Sequence, residues 1–186
     1  MIVYELRAPR EGAEFASTDD AGWDAIHAMH QVDWPTSAAD GWSVNLWRET
    51  VDYASGGPLG PADIMYLTGS VLCGRRSVLS AIEDLLHPFG TFLEARVADD
   101  VDLFLFRPHV RPGAVDRERS SFVLFPSGEV MLIQSLEFRR DAIEGIPIFS
   151  TDVSSVIDVY FSAAFLERLV RAKVRLGTEI LKVWEG

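Results

Sequence analysis

The sequence predicts a single α+β domain in which an antiparallel sheet packs against two amphipathic helices. Strand-like runs follow one another without regular alternation with helices, which is typical of this class. Two segments place apolar residues at helical spacing. The 186 residues are 48% hydrophobic and 24% charged, ordinary proportions for one globular domain. We expect an N-terminal region, residues 1–62, that is less regular than the α+β core predicted for residues 63–186.

Within the first third, few segments have a regular pattern. Residues 1–6 are typical of a short strand, and we expect a short helix near residues 20–30 and a strand near 42–48. Bulky aromatic residues, acids and turn formers are otherwise mixed without a sustained period of 2 or 3.6. The secondary structure of this part is therefore weakly specified.

From residue 64 onward the pattern is clearer. Residues 64–73 are apolar enough for a strand or a buried connection. An amphipathic helix follows and ends before Pro88, which cannot continue it. The apolar residues of this helix, at helical spacing, are Val78, Leu79, Ile82, Leu85 and Leu86.

Four strand-like runs come next, and they predict an antiparallel meander. They are rich in Val, Ile, Leu and Phe, with Gly or Pro at the breaks. A Pro126-Ser127-Gly128 turn joins the last two. The runs are residues 91–97, 101–107, 121–125 and 129–138.

The C-terminal segment predicts two short strands, at residues 146–149 and 156–161, followed by a helix. Ser162 is placed to cap this helix and Gly177 to end it. Residues 178–184 then alternate enough for a final strand. The expected apolar face of the helix consists of Phe165, Leu166, Leu169 and Val170.

The charge is strongly acidic, with 17 Lys and Arg against 28 Asp and Glu, a formal net charge of -11. Residues 1–66 hold 11 acidic and 3 basic side chains together with four of the five tryptophans. This balance argues against binding to nucleic acid or to an anionic membrane, and it favours a basic partner. With no signal-peptide pattern and no apolar run of about 20 residues, we expect a cytoplasmic protein.

Histidines and carboxylates on the first helix raise the possibility of a metal site. Asp24, His27 and His30 are spaced three apart, and Asp33 lies just beyond. Two helical histidines meet on a metal most readily at a spacing of four. A solvated polar face is therefore the favoured interpretation, and we expect no metal and no cofactor.

Cys73 is the only cysteine, so an internal disulfide is excluded. Paired in space with His87 or His109 it would resemble a nucleophile, but free cysteine is usually buried in the core. No phosphate-binding glycine loop, dinucleotide fingerprint or serine elbow occurs. The sequence therefore predicts a protein without catalytic residues, not an enzyme.

Two polar segments have plain structural interpretations, and a third has two. The glycine-rich residues 56–61 predict a turn, because two prolines remove backbone donors. Asp99, Asp100 and Asp102 lie where a hairpin turn is expected. In the loop 107–119, four arginines and His109 either contact an anion or form internal ion pairs with Asp116 and Glu118, and both possibilities stay open. The four arginines are Arg107, Arg111, Arg117 and Arg119.

Several short motifs occur in an order that is typical of a known family. They are Asp63-Ile64-Met65-Tyr66; a helix at 75–86 with a strand at 91–97; Asp116 followed by Ser120; Gly145-Ile146-Pro147-Ile148-Phe149; and Val159, Ser162, Leu166, Leu169 and Gly177. With these motifs, residues 63–186 resemble immunity protein family eleven, small bacterial proteins of polymorphic-toxin loci formerly known only as a domain of unknown function. Pro108 and Pro112 depart from the family pattern ahead of Asp116.

The resemblance implies an α+β fold that binds and neutralises a cognate toxin, with no catalytic residues to carry over. The leading hypothesis is an inhibitor that covers a toxin surface, which is basic if that toxin acts on nucleic acid. The alternatives are a small cysteine- or metal-dependent hydrolase and a protein-binding adaptor. Acids for steering and tryptophans for anchoring are expected in the first third. The predicted toxin-binding residues are Asp19, Asp20, Trp23, Asp24, Trp42, Trp47, Glu49 and Asp52.

Overall fold

A computed structural model describes residues 1–7, 14–17, 19–29, 31, 34–35, 43–50, 62–65, 67–68, 71–97, 103–154 and 158–186. Strands and helices are mixed along the chain, and most strand pairings are antiparallel, so the predicted α+β class is confirmed. None of the helices in the described ranges is long and apolar enough to cross a membrane.

The described strands fall into three sheets. They are β1 (Ile2–Arg7), β2 (Glu14–Ser17), β3 (Ser43–Thr50), β4 (Ile64–Met65), β5 (Leu72–Arg75), β6 (Gly90–Val97), β7 (Leu103–Pro108), β8 (Val110–Arg111), β9 (Ser121–Leu124), β10 (Val130–Ser135), β11 (Ile148–Thr151), β12 (Tyr160–Ser162), β13 (Leu176–Gly177) and β14 (Glu179–Glu185).

The helices of the described part are mostly single turns, and only two reach nine residues or more. They are α1 (Asp20–Met29), α2 (Arg76–Leu79), α3 (Glu83–Leu86), α4 (Arg140–Ile143) and α5 (Ala163–Arg171), with a 3-10 turn at His87–Phe89.

The largest sheet has the strand order β13-β4-β5-β7-β6-β3-β2. Strands β6 and β7 are antiparallel neighbours, as the meander predicts, but β3 and β6 run parallel. The predicted apolar segment 64–73 is two short strands, β4 and β5, paired antiparallel. The sheet is thus mixed, because β3 and β13 each pair in parallel with a strand that is distant in the sequence, β6 and β4 respectively.

Strand β7 is buried along its whole length and separates two hydrophobic cores. Leu103 and Leu105 face a first core that includes Ile26 and Met29 of α1. Phe104 and Phe106 face a second core, built with residues of α5 and of the helical turns after β5. A strand that is buried on both faces has apolar residues at consecutive positions, as residues 103–106 do here.

A five-stranded sheet, in the order β14-β1-β12-β11-β8, joins the two ends of the described chain. Strand β1 pairs antiparallel with β12 on one side and with β14 on the other. On one face of this sheet, Val3, Phe149 and Tyr160 belong to a third core with Phe138 and Ile143. The first strand, although part of residues 1–62, is therefore central to a sheet of C-terminal strands.

Strands β9 and β10 form a separate two-stranded hairpin, so the expected meander does not extend beyond β7. The predicted turn at residues 126–128 is confirmed. Its backbone is closed by hydrogen bonds from Phe125 N to Glu129 O (2.8 Å) and from Gly128 N to Phe125 O (2.9 Å). Gly128 has a φ of 88°, a conformation that suits glycine. We call residues 121–135 the apolar hairpin.

One predicted helix is broken. The pattern at Val78 to Leu86 is divided between α2 and α3, because Ile82 leaves helical geometry with a φ of -135°. At that position the Ile82 side chain is completely buried in the second core. Tertiary burial therefore overrides the continuous helix that the spacing predicts.

Helix α5 begins as predicted, with the Ser162 hydroxyl accepting a hydrogen bond from Phe165 N. Its end differs from the prediction, since the helix stops at Arg171 rather than near Gly177. Lys173 adopts a φ of 57° there, and Val174 N donates to Leu169 O at 2.9 Å. This is a Schellman-type ending in which lysine occupies the position usually held by glycine.

The predicted apolar face of α5 is only partly correct. Phe165 and Leu169 are buried and Leu166 is partly buried, but Val170 is 68% exposed. Each residue turns the helix by about 100°, so Val170 lies beyond the edge of the face that packs. Leu169 and Val170 therefore form a matched pair for testing the docking of this helix.

We predict that Leu169→Ala lowers the free energy of unfolding by about 2 to 5 kcal/mol, because it removes buried methyl groups and leaves a cavity. Val170→Ala, a truncation at an exposed neighbour, should change it by less than about 0.5 kcal/mol. Urea unfolding followed by circular dichroism measures both. Equal effects of the two substitutions would contradict the orientation of α5.

Candidate functional site

Helix α1 carries the acidic side chains predicted to steer a partner. Asp19, Asp20 and Asp24 are all exposed. Asp19 also has a structural role, because its carboxylate accepts a hydrogen bond from Gly22 N at 2.7 Å and so caps the helix. Asp20 and Asp24 are therefore the acids of this face whose charge can be changed without loss of the cap.

Trp23, predicted to anchor a partner protein, exposes only part of its side chain for such a contact. It is half-buried and packs against the first core, and its ring lies 6.2 Å from that of His27. The backbone of β3 places Trp47 opposite Ser17 and Glu49 opposite Phe15 in the pairing with β2. Trp42 and Asp52 lie outside the described residues. The structure thus brings together Asp19, Asp20, Trp23 and Asp24, at the start of α1.

Only two of the four residues of the predicted metal-site alternative lie in the described part of the chain. Asp24 and His27 are on α1, whereas His30 and Asp33 lie outside the described residues. Within the described ranges, no three side chains of the His, Cys, Asp or Glu type are grouped closely enough to hold a metal ion. The carboxylates Asp99, Asp100 and Asp102, and the glycine-rich residues 56–61, also lie outside the described ranges.

Cys73 is a core residue, as predicted. It is fully buried in β5, with Met65 and Leu105 opposite it on the neighbouring strands. Burial raises the pKa of its thiol to about 12. A nucleophilic cysteine needs a lowered pKa and an exposed position, so this environment is the opposite of a catalytic one.

Arg107, predicted to belong to a polar loop, is instead buried at the end of β7. Its guanidinium donates to Met29 O at 3.1 Å and to Gln31 O at 3.0 Å. It also lies 5.3 Å from the centre of the Trp34 ring. Arg107 therefore binds the carboxyl end of α1, where a cation suits the helix dipole, and fixes that helix on the large sheet.

Two other arginines of the segment 107–119 also have partners within the protein. Arg117 donates to the backbone carbonyls of Asp152 and Val153, at 2.9 and 3.3 Å. Arg119 lies 3.6 Å from a carboxylate oxygen of Glu137. These contacts are internal, but their acceptors are backbone carbonyls and Glu137 rather than the expected Asp116 and Glu118.

Motif residues that carry the family resemblance form structural bonds. The buried Asp63 carboxylate accepts hydrogen bonds from the Arg175 guanidinium at 3.1 Å on both oxygens, and also from Arg175 N. These bonds outweigh burial and lower the pKa of Asp63. Asp116 accepts from the backbone of the turn that follows it, and Ser120 Oγ accepts from Glu137 N at 2.9 Å.

The apolar hairpin exposes large hydrophobic side chains near its tip, a feature that sequence reasoning missed. At its base, Phe122 and Ile133 pack on the third core. Beyond them, apolar side chains are about half exposed. The signal in the sequence is the absence of polar alternation next to the turn, where residues 122–125 and 130–133 are all apolar. The exposed residues are Leu124 (53%), Phe125 (47%), Met131 (52%) and Leu132 (54%).

Beside the hairpin, the pairing of β1 with β12 collects polar groups on one face of the five-stranded sheet. Glu5 is directly opposite Tyr160, and the Arg7 guanidinium is 2.7 Å from the Glu5 carboxylate. Asp158, two residues before Tyr160, is partly buried, and burial together with the charge of Glu5 raises its pKa to about 6. Neither Glu5 nor Asp158 was singled out from the sequence.

No protein-family model matches the chain, and no curated protein matches it.

Asp158 predicts an unusual pH dependence of stability. In the unfolded chain its pKa is near 3.8, and in the folded protein it is about 6. Between these values the folded state binds the extra proton, so the contribution of this group to stability falls as the pH rises from about 4 to 6. A shift of this size corresponds to roughly 3 kcal/mol above pH 6.

We therefore predict that Asp158→Asn stabilises the protein at pH 7.5 by about 2 to 3 kcal/mol, and by much less at pH 4.5. Urea unfolding at both pH values measures this. Glu144→Gln, which neutralises an exposed carboxylate, is the control and should have little effect at either pH. An effect of Asp158→Asn that does not depend on pH would contradict the raised pKa.

Proposed function

We propose that this chain is a cytoplasmic immunity-type inhibitor that binds a cognate toxin domain and neutralises it by covering its surface. The observation that carries the proposal is the cluster of half-exposed apolar side chains on the apolar hairpin. Single exposed hydrophobic residues are common on protein surfaces, but clusters of them mark binding sites. A surface of this kind supports a function in protein recognition.

The geometry of the hairpin also supports binding to a protein. It pairs with no other strand of the described residues, so the outer edge of each strand offers backbone groups to a partner strand. Its base is fixed to the third core by Phe122 and Ile133. A rigid base with an exposed apolar tip lowers the entropy lost on association.

Charge supports a basic partner. The net charge is -11, and α1 presents Asp20 and Asp24 to solvent. Acidic surfaces accelerate encounter with basic proteins, which include toxins that act on nucleic acids. In this proposal the hairpin supplies binding energy and the acids increase the association rate.

The alternative of a cysteine-dependent hydrolase receives little support. Cys73 is buried and its pKa is raised to about 12, so the thiol is protonated at neutral pH. The hypothesis of inhibition by binding requires no reactive side chain in this protein, because covering the toxin surface is enough to inhibit the toxin.

The proposal predicts that Met131→Ser/Leu132→Ser weakens binding to the toxin domain at least tenfold, mainly through faster dissociation, because both apolar contacts are removed. The toxin domain to test is the variable terminal domain of a large secreted protein, if one is encoded immediately upstream of this gene. Surface plasmon resonance measures the rates, and co-expression of toxin and inhibitor measures protection of cell growth.

Val170→Ser is the matched control, because it makes the same type of change at a residue that is 68% exposed outside the hairpin. It should leave binding and protection unchanged. If the folded double variant binds the toxin domain with wild-type affinity, the hairpin is not part of the interface. Absence of any interaction between wild-type protein and the toxin would contradict the proposed function itself.

For the acidic face, we predict that Asp20→Lys/Asp24→Lys slows association and makes it less dependent on salt, with little change in dissociation. Charge attraction is screened over about 8 Å at physiological ionic strength. Asp19 is left unchanged because it caps α1. Glu118→Lys/Glu167→Lys reverses two exposed acids elsewhere and serves as the control. Equal slowing by both pairs would mean that only total charge matters.

A further inference from the structure

The chain from the end of β7 through β8 carries three cationic side chains at alternate positions, Arg107, His109 and Arg111. Alternate residues of an extended chain lie on the same face. The three groups are also close enough to affect one another, because partial burial and the charges of Arg111 and Arg107 lower the pKa of His109. We call these three residues the β8 cluster.

Two members of the β8 cluster have no partner within the described part of the chain. Arg107 donates to the backbone at the carboxyl end of α1. Neither the Arg111 guanidinium nor the His109 ring forms a hydrogen bond or an ion pair with a described residue. The Nε atom of Arg111 is buried, whereas its terminal nitrogens and both ring nitrogens of His109 are not. A ligand can therefore reach these unpaired nitrogens from solvent.

The neighbouring strand β11 adds a hydroxyl group on the same face. Strands β8 and β11 run parallel, and Thr151 lies directly opposite Arg111 in their register, so the two side chains share one face of the sheet. The Thr151 side chain is almost completely buried, yet its hydroxyl has no hydrogen-bond partner among the described residues. Unlike the hydroxyl of Ser150, the preceding residue, it is not fully enclosed.

Carboxylates of the described residues do not neutralise the β8 cluster. None of them forms an ion pair with any of its three side chains, and the charges that act on His109 are those of two arginines. Asp152 follows Thr151, but its carboxylate accepts a hydrogen bond from Gly113 N at 3.3 Å. In a chain with 28 acidic and 17 basic residues, cationic groups without an acidic partner indicate a site for an anion.

We propose that the β8 cluster and Thr151 bind one phosphate group, either free or carried by a small phosphorylated molecule. The terminal N–H groups of Arg111 and the imidazolium of His109 donate hydrogen bonds to phosphate oxygens, and the Thr151 hydroxyl donates another. Arg107 contributes its positive charge while it remains bonded to α1. The inference does not depend on the proposed function, because none of these residues belongs to the apolar hairpin or to α1.

A phosphate group fits these donors better than other anions do. Its oxygens point in several directions, so it accepts hydrogen bonds from a guanidinium, an imidazolium and a hydroxyl on two strands. A carboxylate has only two oxygens, in one plane, and a single charge. Guanidinium groups match phosphate geometry well. A nucleic acid is disfavoured, because its many phosphates are repelled by a protein of net charge -11.

The first experiment titrates inorganic phosphate into the isotopically labelled full-length protein at neutral pH and constant ionic strength, with backbone amide shifts followed by NMR. We expect saturable shifts at residues 109–113 and 150–152. Acetate should bind about tenfold more weakly, because it accepts fewer charge-assisted hydrogen bonds. Phenyl phosphate is titrated in parallel. Tighter binding of this ester than of inorganic phosphate would identify a phosphorylated molecule as the ligand, and the reverse order would identify free phosphate.

Arg111→Gln should weaken phosphate binding about tenfold or more, because it removes a charged donor. Thr151→Val keeps the shape of a buried side chain and removes its hydroxyl, so it should weaken binding about threefold. Arg171→Gln removes the charge of an exposed arginine at the end of α5 and is the matched control. It should leave phosphate binding unchanged. Urea unfolding of each variant shows that it remains folded.

A second measurement uses the wild-type protein and so does not depend on the folding of a variant. The ring-proton shifts of His109 are followed against pH in chloride and in sulfate at equal ionic strength, because sulfate keeps its charge throughout. A bound anion stabilises the imidazolium, so sulfate should raise the pKa of His109. The charged groups that act on this ring, Arg107 and Arg111, do not titrate in this range.

Three results would overturn the proposal. The first is an absence of saturable shifts at residues 109–113 and 150–152. The second is equal weakening of phosphate binding by Arg111→Gln and Arg171→Gln, which would mean that only total charge matters. The third is a pKa of His109 that is the same in sulfate and in chloride. Equal binding of acetate and phosphate would overturn the assignment to phosphate and leave a general anion site.

Discussion

The burial of β7 on both faces is the constraint on which the rest of the large sheet depends. Leu105 packs in the first core and Phe106 in the second, so the strand separates and joins the two. The side chain of Arg107 lies on the same face of β7 as Leu105. There it donates hydrogen bonds to backbone carbonyls at the carboxyl end of α1. Helix α1, which carries the acidic residues, thus packs on one face of β7, and α5 packs on the other face.

The sequence predicted features governed by local rules. The Ser162 cap, the turn at residues 126–128 and the burial of Cys73 each follow from one or a few neighbouring residues. The predicted helix through Ile82 and the helix end at Gly177 were wrong, because distant packing and the left-handed conformation of Lys173 decided those positions. Local patterns do not contain this information.

The candidate site was harder to predict than the fold, for the same reason. The exposed acids of α1 follow from the sequence, because charged residues on a short amphipathic helix face solvent. The polar group at Glu5 and Asp158 does not, since Glu5 lies opposite Tyr160 only through the pairing of β1 with β12. The loop arginines were also ambiguous, because an arginine that binds backbone carbonyls, such as Arg107, has the same sequence appearance as one that binds an anion.

The position of β1 between β12 and β14 has a consequence for the order of events during synthesis. The ribosome makes β1 first, but the partners of this strand begin at Tyr160 and Glu179. At roughly 5 to 20 residues per second, β1 waits on the order of ten seconds or more for its neighbours. Strands β3 to β7 are complete long before that. The face of the five-stranded sheet that carries Glu5 and Tyr160 is consequently among the last parts of the protein to form on the ribosome.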